Sequence, residues 1–180
     1  MDIHFRRLEA SDITDGFDCG QPHLNEFIHK YARQDQRRML GVTYVAVPCN
    51  DPNRVIGYYT LANTSVPRQG LPAEILKGMP KYQSLPAILL GRLAIEKRHQ
   101  KKRLGELLLS RCFENCLLLA GFSGARYLIA DVKESAVTWY ERYNFRRIFG
   151  SPGADSTKMF VDLKVVSASI DHKAAAAQAS

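Results

Sequence analysis

Residues 87–120 contain the pattern that most constrains the fold: an apolar run, a basic turn and an apolar helical repeat. The run AILLGRLAI, residues 87–95, is typical of a strand that is covered on both faces. After the basic segment EKRHQKKR, the apolar positions from Leu104 to Ala120 recur at helical spacing. A buried strand followed directly by a helix predicts an α/β domain, because such a helix packs back onto the sheet.

The rest of the chain supplies the other strands and helices of this α/β domain. Further strands are predicted at 3–8, 41–48, 55–66 and 158–163 and within GFSGARYLIADV, and further helices near 22–38 and at 135–143. The turn formers CNDPNR predict that 41–48 and 55–66 form an antiparallel hairpin. We expect a mixed, mostly antiparallel central sheet flanked by helices over residues 1–164. Residues 165–180 have too little apolar pattern to pack, so we expect a flexible C-terminal tail.

Composition and charge narrow the function classes. The formal net charge of +7 favours an anionic partner such as nucleic acid or a polyphosphate cofactor.

The four cysteines form no CxxC pair and the histidines lack metal-ligand spacing, so we expect reduced thiols and no metal site. Cys112 and Cys116 share the apolar face of the long helix and are expected in the core. Since no signal pattern is present and no apolar run reaches the ~20 residues of a membrane span, we expect a cytoplasmic protein.

The basic turn before Leu104 has two interpretations. The first N–H groups of a helix lack intrahelical partners and the helix dipole favours negative charge, so the turn could bind a phosphate. The same residues are equally typical of a solvated, cationic helix start. The turn by itself does not decide between them.

The surroundings of the turn favour the phosphate. The segment "LLGRLAIEKRHQKKRLGELLL", followed further along the chain by "SAVTWYERYNF", resembles the GNAT superfamily of acyl-CoA N-acyltransferases. The resemblance covers about residues 1 to 163 and implies acetyl-CoA as cofactor, with Tyr140 as the acid that protonates the leaving thiolate. It implies cofactor-binding residues on the strand, for pantetheine, on the turn, for pyrophosphate, and at the start of the helix predicted at 135–143: Leu93, Ala94, Ile95, Gln100, Lys101, Lys102, Arg103, Leu104, Gly105 and Ser135.

Three other segments resemble a narrower group within this superfamily. "FDCGQPHLNEFIHKYARQDQ", "VIGYYTLA" and "LPAILLGRLAI" resemble the GNAT toxins of bacterial toxin–antitoxin pairs. This resemblance implies acetylation of the α-amino group of aminoacyl-tRNA, inhibition of translation and restraint by a ribbon-helix-helix antitoxin, and it leaves a homodimer open. An unpaired buried charge is costly, so Arg92 either pairs with an acid or faces the substrate, and the resemblance favours the substrate. The implied RNA-binding residues are Arg92, Lys30, Arg33, Arg37 and Arg38.

The turn departs from the toxin pattern at two positions. Lys101 and Arg103 stand where the toxins usually have glycine, whose missing Cβ lets the backbone approach a phosphate closely. If residue 103 needs a positive φ, arginine there costs on the order of 1 kcal/mol or more. Alternatively, the turn has ordinary helical angles, and both side chains add charge-assisted contacts. Asn144 replaces another usual glycine, at a helix end, where asparagine tolerates the left-handed conformation almost as well.

No carboxylate stands out as a general base. An α-amino group with a pKa of ~7.7 is substantially neutral at cellular pH, so positioning could replace deprotonation. We therefore expect Glu96, Glu106 and Glu134 to be surface or helix-end charges. Two alternatives to the toxin stay open: a GNAT enzyme that acetylates a protein or small amine, and a catalytically impaired GNAT-like module that binds RNA or an antitoxin.

Overall fold

The computed structural model describes residues 2–148 and 156–178, without the side chains of 171–178. The strands are β1 Ile3–Arg7, β2 Val42–Pro48, β3 Gly57–Pro67, β4 Ser84–Ile95, β5 Tyr127–Lys133, β6 Arg146–Arg147 and β7 Ser156–Asp162. The helices are α1 Pro22–Glu26, α2 Ala32–Arg37, α3 Ala73–Leu76, α4 Leu104–Ser123, α5 Val137–Glu141 and α6 Leu163–Gln178. A π-helical turn, Phe27–Tyr31, joins α1 to α2, and short 3-10 turns occupy Arg68–Gly70, Lys97–His99 and Glu134–Ala136.

The seven strands form one mixed sheet in the order β1-β2-β3-β4-β5-β7-β6. The predicted hairpin is confirmed, because β2 and β3 are antiparallel with Val42 opposite Leu61 and Ala46 opposite Gly57. Antiparallel pairing also joins β1 to β2, β5 to β7 and β6 to β7. The predicted mixed, mostly antiparallel sheet with flanking helices is therefore correct.

The chain divides into two compact units, of which the first comprises Met1–Ala62 and Leu90–Cys112. Tyr58 is at the centre of its core, where the rings of Phe17 and Phe27 lie 5.5 and 6.2 Å away. The hydroxyl of Tyr58 donates to the carbonyl of Leu24 at 2.8 Å, which attaches the first helix to β3. Burial is the main cause that raises the pKa of Tyr58.

The second unit comprises Asn63–Leu89 and Phe113–Ser180. Its core contains the apolar faces of β5 and β7, with the rings of Tyr127 and Phe160 5.9 Å apart. Asn144 has a φ of 64°, which confirms that asparagine accommodates the left-handed conformation there. The chain then continues into Phe145, a buried residue whose ring lies 6.1 Å from that of Phe113.

Two elements are absent from the sequence prediction. Strand β6 has only two residues, too few to show an alternating pattern. Helix α6 overlaps the expected flexible tail, 165–180, and Val166 within it is buried. Alanine has the highest intrinsic helix propensity, so the alanines near the end of α6 favour a helix even without a repeated apolar face there. The flexibility of the tail and the domain boundary at residue 164 stay predictions.

Three further expectations concern thiols, metals and membranes. Cys112 and Cys116 are buried in α4, as expected for core residues. Among the described residues, no group of three or more His, Cys, Asp or Glu side chains could hold a metal ion. Within the same residues, no helix combines the length and the apolar character needed to cross a membrane.

Gly57 permits close packing at the start of β3. A Cβ added there would lie 2.8 Å from Cδ1 of Leu108 and 3.3 Å from the carbonyl oxygen of Ala94. We therefore expect Gly57→Ala to lower the free energy of unfolding, measured by urea denaturation, by about 1–3 kcal/mol. Gly121→Ala is the matched control, because no described atom lies within 4 Å of its added Cβ and alanine favours a helix. An equal loss in both variants would contradict the packing argument.

Candidate functional site

The turn between β4 and α4 has a strained backbone. Lys101 has a φ of 59° and Arg103 a φ of 63°, both in the left-handed region. A residue with a Cβ adopts this region at a cost of about 1–2 kcal/mol. The alternative in which both residues have ordinary helical angles is therefore wrong. Glycine adopts this region freely, so the turn has the conformation that would suit glycine at both positions.

This conformation leaves a row of backbone N–H groups available. The N–H groups of His99 and Gln100 bond carbonyls just before them, and those of Glu106 and Leu107 bond the carbonyl of Arg103. Within the part of the chain that the structure describes, the N–H groups of 101–105 have no acceptor. Left-handed residues ahead of a helix N-terminus gather such groups into an anion-binding concavity. The turn therefore fits a pyrophosphate.

The turn also carries the charge that a polyphosphate requires. Lys101, Lys102 and Arg103 are exposed, and Nε of Arg103 lies 3.1 Å from a carboxylate oxygen of Glu106. Glu106 is thus a helix-end charge, as expected. The three cations lie next to the free N–H groups, where they add charge-assisted contacts to any phosphate bound there.

Gln100 and Lys97 attach the turn to the loop before α1. The side-chain Nε2 of Gln100 donates to the carbonyls of Cys19 at 3.0 Å and Ile95 at 2.9 Å. Nζ of Lys97 lies 2.7 Å from Asp18 Oδ2, and its N–H donates to the Asp18 carbonyl. The Lys97 hydrogen bond, followed by those from Gly20 and Asn25, lowers the pKa of Asp18 to about 2. The Gln100 side chain, predicted to bind cofactor, is thus occupied in holding the turn.

Glu96 is a correction to the sequence prediction, which expected a surface or helix-end charge. It is only 3% exposed. Its Oε1 accepts hydrogen bonds from Arg98 at 2.7 Å and Arg54 at 3.2 Å, and its Oε2 lies 3.4 Å from Nε2 of His99. The sequence carries no signal for this cluster, because Arg54 belongs to a segment distant along the chain.

Strand β4 supplies the residues expected beside pantetheine. Ala94 is buried, while Leu93 and Ile95 are half-buried, and their roles stay predictions. The guanidinium of Arg92 lies 3.5 Å from the centroid of the Phe27 ring, a cation–π contact. Among the described residues no carboxylate pairs with Arg92. The aromatic face therefore compensates its charge, an arrangement that the sequence argument does not include.

The basic residues of the π-helical turn and α2, together with Arg38 just after α2, divide into two groups. Arg33 donates to the carbonyls of Glu9 and Asp12 and to the hydroxyl of Thr14, so its guanidinium holds the loop after β1. Lys30 forms an exposed pair with Glu26 at 3.2 Å, and Arg37 and Arg38 are exposed at the helix end. Lys30, Arg37 and Arg38 remain available for a nucleic acid, whereas Arg33 is already bonded.

Tyr140 and Ser135 belong to the second unit. Tyr140 is half-buried on α5, with its ring edge-on to Trp139 at 4.9 Å and to Phe145 at 5.0 Å. Ser135 is exposed in the 3-10 turn before α5. The neighbouring Glu134 is a surface charge, as expected, and hydrogen bonds from Thr157 and Arg147 lower its pKa. The predicted roles of Tyr140 and Ser135 stay predictions.

Comparison with known proteins adds independent information. No family model matches the sequence. The "tRNA-acetylating toxin" of Mycobacterium tuberculosis is 31% identical over 141 residues, which are 78% of this chain and 82% of that protein. The solved structure of AtaT complexed with acetyl-methionyl-tRNAfMet is 24% identical, has a TM-score of 0.84 and aligns over 94% of this chain and 99% of that chain. A mutant AtaT toxin bound to the C-terminus of the antitoxin AtaR and acetyl-CoA is 23% identical, has a TM-score of 0.75 and aligns over 92% and 96%.

The free energy of unfolding can test whether Arg33 holds the loop after β1 while Arg37 does not. Arg33→Gln removes donors to the loop after β1, so we expect the free energy of unfolding to fall by about 1–3 kcal/mol. Arg37→Gln is the matched control on the same helix and should stay within about 0.5 kcal/mol of the wild type. Urea denaturation of both variants makes the comparison. If the two were equally stable, Arg33 would return to the candidate RNA-binding surface.

Proposed function

The chain belongs to the family of tRNA-acetylating toxins with the GNAT fold, and on this premise we propose that it transfers an acetyl group from acetyl-CoA to the α-amino group of aminoacyl-tRNA and so inhibits translation. The observation that carries the proposal is the turn of residues 101–105, whose free N–H groups and three neighbouring cations suit a pyrophosphate. The acetyl-CoA and acetylated tRNA found with the similar AtaT support the same reaction.

The residues of the first unit bind the cofactor in this proposal. Acetyl-CoA, when bound, supplies the acetyl group as a thioester. The N–H groups of 101–105 hold the pyrophosphate, and Lys101, Lys102 and Arg103 add charge to it. The backbone of Leu93, Ala94 and Ile95 would hold the pantetheine arm and so orient the thioester.

Proton transfer needs one side chain. Tyr140 protonates the departing sulfur, which a phenol with an ordinary pKa of ~10 is able to do at neutral pH. The α-amino group, with a pKa of ~7.7, attacks in its neutral form without a protein base. The proton that its nitrogen loses on forming the amide passes to solvent, and Tyr140 regains a proton from solvent after giving its own to sulfur. Glu96 is unsuited to that role because its carboxylate is already bound by Arg54 and Arg98.

The tRNA surface combines Arg92 with the available cations of the π-helical turn and the end of α2. Lys30, Arg37 and Arg38 bind phosphates, since such contacts need clustered, exposed charge. Arg92, half-buried on the Phe27 ring, faces the acceptor end. Arg33 adds positive potential, although its donors are bonded to the loop after β1.

Partners and location follow from the same family. We propose that an antitoxin restrains the protein, which the antitoxin bound to AtaT supports. That this antitoxin belongs to the ribbon-helix-helix class stays a prediction. We propose a cytoplasmic location, because the proposed substrate is charged tRNA. A homodimer stays a prediction.

One assay separates the three candidate functions. The protein is incubated with acetyl-CoA and total charged tRNA, and the released aminoacyl-adenosines are examined by mass spectrometry. The proposal predicts N-acetylated aminoacyl-adenosine. Acetyl-CoA binding, measured separately by calorimetry, in the absence of that product would favour a protein or small amine as substrate. If neither acetyl-CoA binding nor the acetylated product were detected, the catalytically impaired module would be favoured. The backbone strain at Lys101 and Arg103 is the observation that makes this module the main alternative.

Tyr140→Phe tests the acid. The ring keeps its contacts with Trp139 and Phe145, so we expect unchanged stability and acetyl-CoA affinity. Loss of the hydroxyl should slow the single-turnover acetylation rate by about 10²–10⁴-fold. Tyr143→Phe, the same change one turn further on, should alter the rate only slightly. An unaltered rate in Tyr140→Phe, with chemistry rate-limiting, would remove Tyr140 from the mechanism.

Charge reversal tests the tRNA surface. Arg37→Glu combined with Arg38→Glu should weaken tRNA binding and reduce the slope of log affinity against log salt by roughly one to two. Acetyl-CoA affinity should not change. Lys77→Glu with Lys81→Glu is the control, since it makes the same change in net charge on other exposed residues. If both pairs weakened tRNA binding equally, total charge rather than this surface would be responsible.

A further inference from the structure

The left-handed turn needs stabilisation from its surroundings. Lys101 and Arg103 both have a Cβ, and such backbone strain persists only where neighbouring contacts over-determine the conformation. We propose that Glu96 and Gln100 are positioning residues that brace the turn, so that a sequence without the usual glycines still presents its N–H groups to a phosphate. The inference rests on the proposed binding of acetyl-CoA at this turn.

Glu96 braces the start of the turn by both backbone and side chain. Its N–H donates to the carbonyl of Ile56, and its own carbonyl accepts the N–H of His99 at 2.8 Å. Its carboxylate holds Arg98, inside the turn, and Arg54, from the segment before β3. A buried carboxylate is stable only when such partners remain in place, so the cluster resists displacement of the turn.

Gln100 lies directly before Lys101, the first strained residue, and its side chain holds the backbone there. Its two side-chain hydrogen bonds, to the carbonyls of Ile95 and Cys19, connect the end of β4 with the loop before α1. Lys97 joins the same loop through Asp18. The chain is therefore held at residues 96, 97 and 100, immediately before Lys101.

The brace positions the turn without touching the phosphate. Oε1 of Glu96 accepts hydrogen bonds from the guanidinium groups of Arg54 and Arg98, and a carboxylate has no donor to offer an anion. With glycine at 101 and 103, the same conformation would be free of strain and would need no brace. The importance of Glu96 for ligand binding should therefore depend on which residues occupy those two positions.

A double-mutant cycle tests this dependence by calorimetry with acetyl-CoA. Glu96→Gln is made in the wild type and in the Lys101→Gly, Arg103→Gly background. We expect it to weaken binding about tenfold in the wild type and less than about threefold in the double-glycine background. Gln100→Ala should show the same dependence and serves as the second variant if Glu96→Gln fails to fold. Glu74→Gln, which loses its pair with Arg146 in the second unit, should leave both affinities unchanged.

The ligand-free protein supplies an independent readout. Loss of the brace lets the wild-type turn relax and releases strain, whereas the double-glycine turn has no strain to release. Glu96→Gln should therefore lower the urea midpoint less in the wild type than in the double-glycine background. Equal effects in both backgrounds, in binding and in the urea midpoint, would overturn the brace. If the wild type bound no acetyl-CoA, the proposed function would fail, and the ligand-free cycle alone would still decide whether the brace exists.

Discussion

A buried carboxylate requires cationic partners, and at Glu96 this requirement joins three parts of the chain. The carboxylate lies at the end of β4, one arginine comes from the segment before β3 and another from the turn before α4. The turn in question is the one that leaves its N–H groups available at the start of α4. The cofactor-binding geometry proposed here therefore depends on a charge cluster that contacts no cofactor itself.

The positive charge of the chain serves two purposes that the sequence does not distinguish. Some arginines hold the fold: Arg6 bonds both carboxylate oxygens of Asp12, and Arg33 bonds the loop around it. Arg37, Arg38 and the lysines of the turn extend into solvent. The net charge of +7 favours an anionic partner, but the accessible cations are only a subset of the total.

Much of the fold could be predicted because its signals are local. The apolar run of β4, the turn formers of the hairpin and the helical spacing of α4 each lie within a short window, and hydrophobic periodicity reports burial directly. The two elements that were not predicted lack a clear hydrophobic periodicity. Strand β6 is too short to alternate, and the apolar residues of α6 do not recur along its whole length. For the site, the basic turn could be located from the sequence, and its resemblance to the GNAT toxins was specific enough to indicate the family.

The sequence by itself determined the order of the main strands and helices other than β6 and α6, the position of the turn, the absence of the two usual glycines from it, and the family. Only the tertiary structure decided that Lys101 and Arg103 are left-handed, that Glu96 is buried, that Arg92 rests on Phe27 and that Arg33 is bonded. The physical reason is the separation of the partners along the chain. Glu96 meets Arg54 across 42 positions and Gln100 meets Cys19 across 81, and no local pattern encodes contacts that form only when the sheet brings distant segments together.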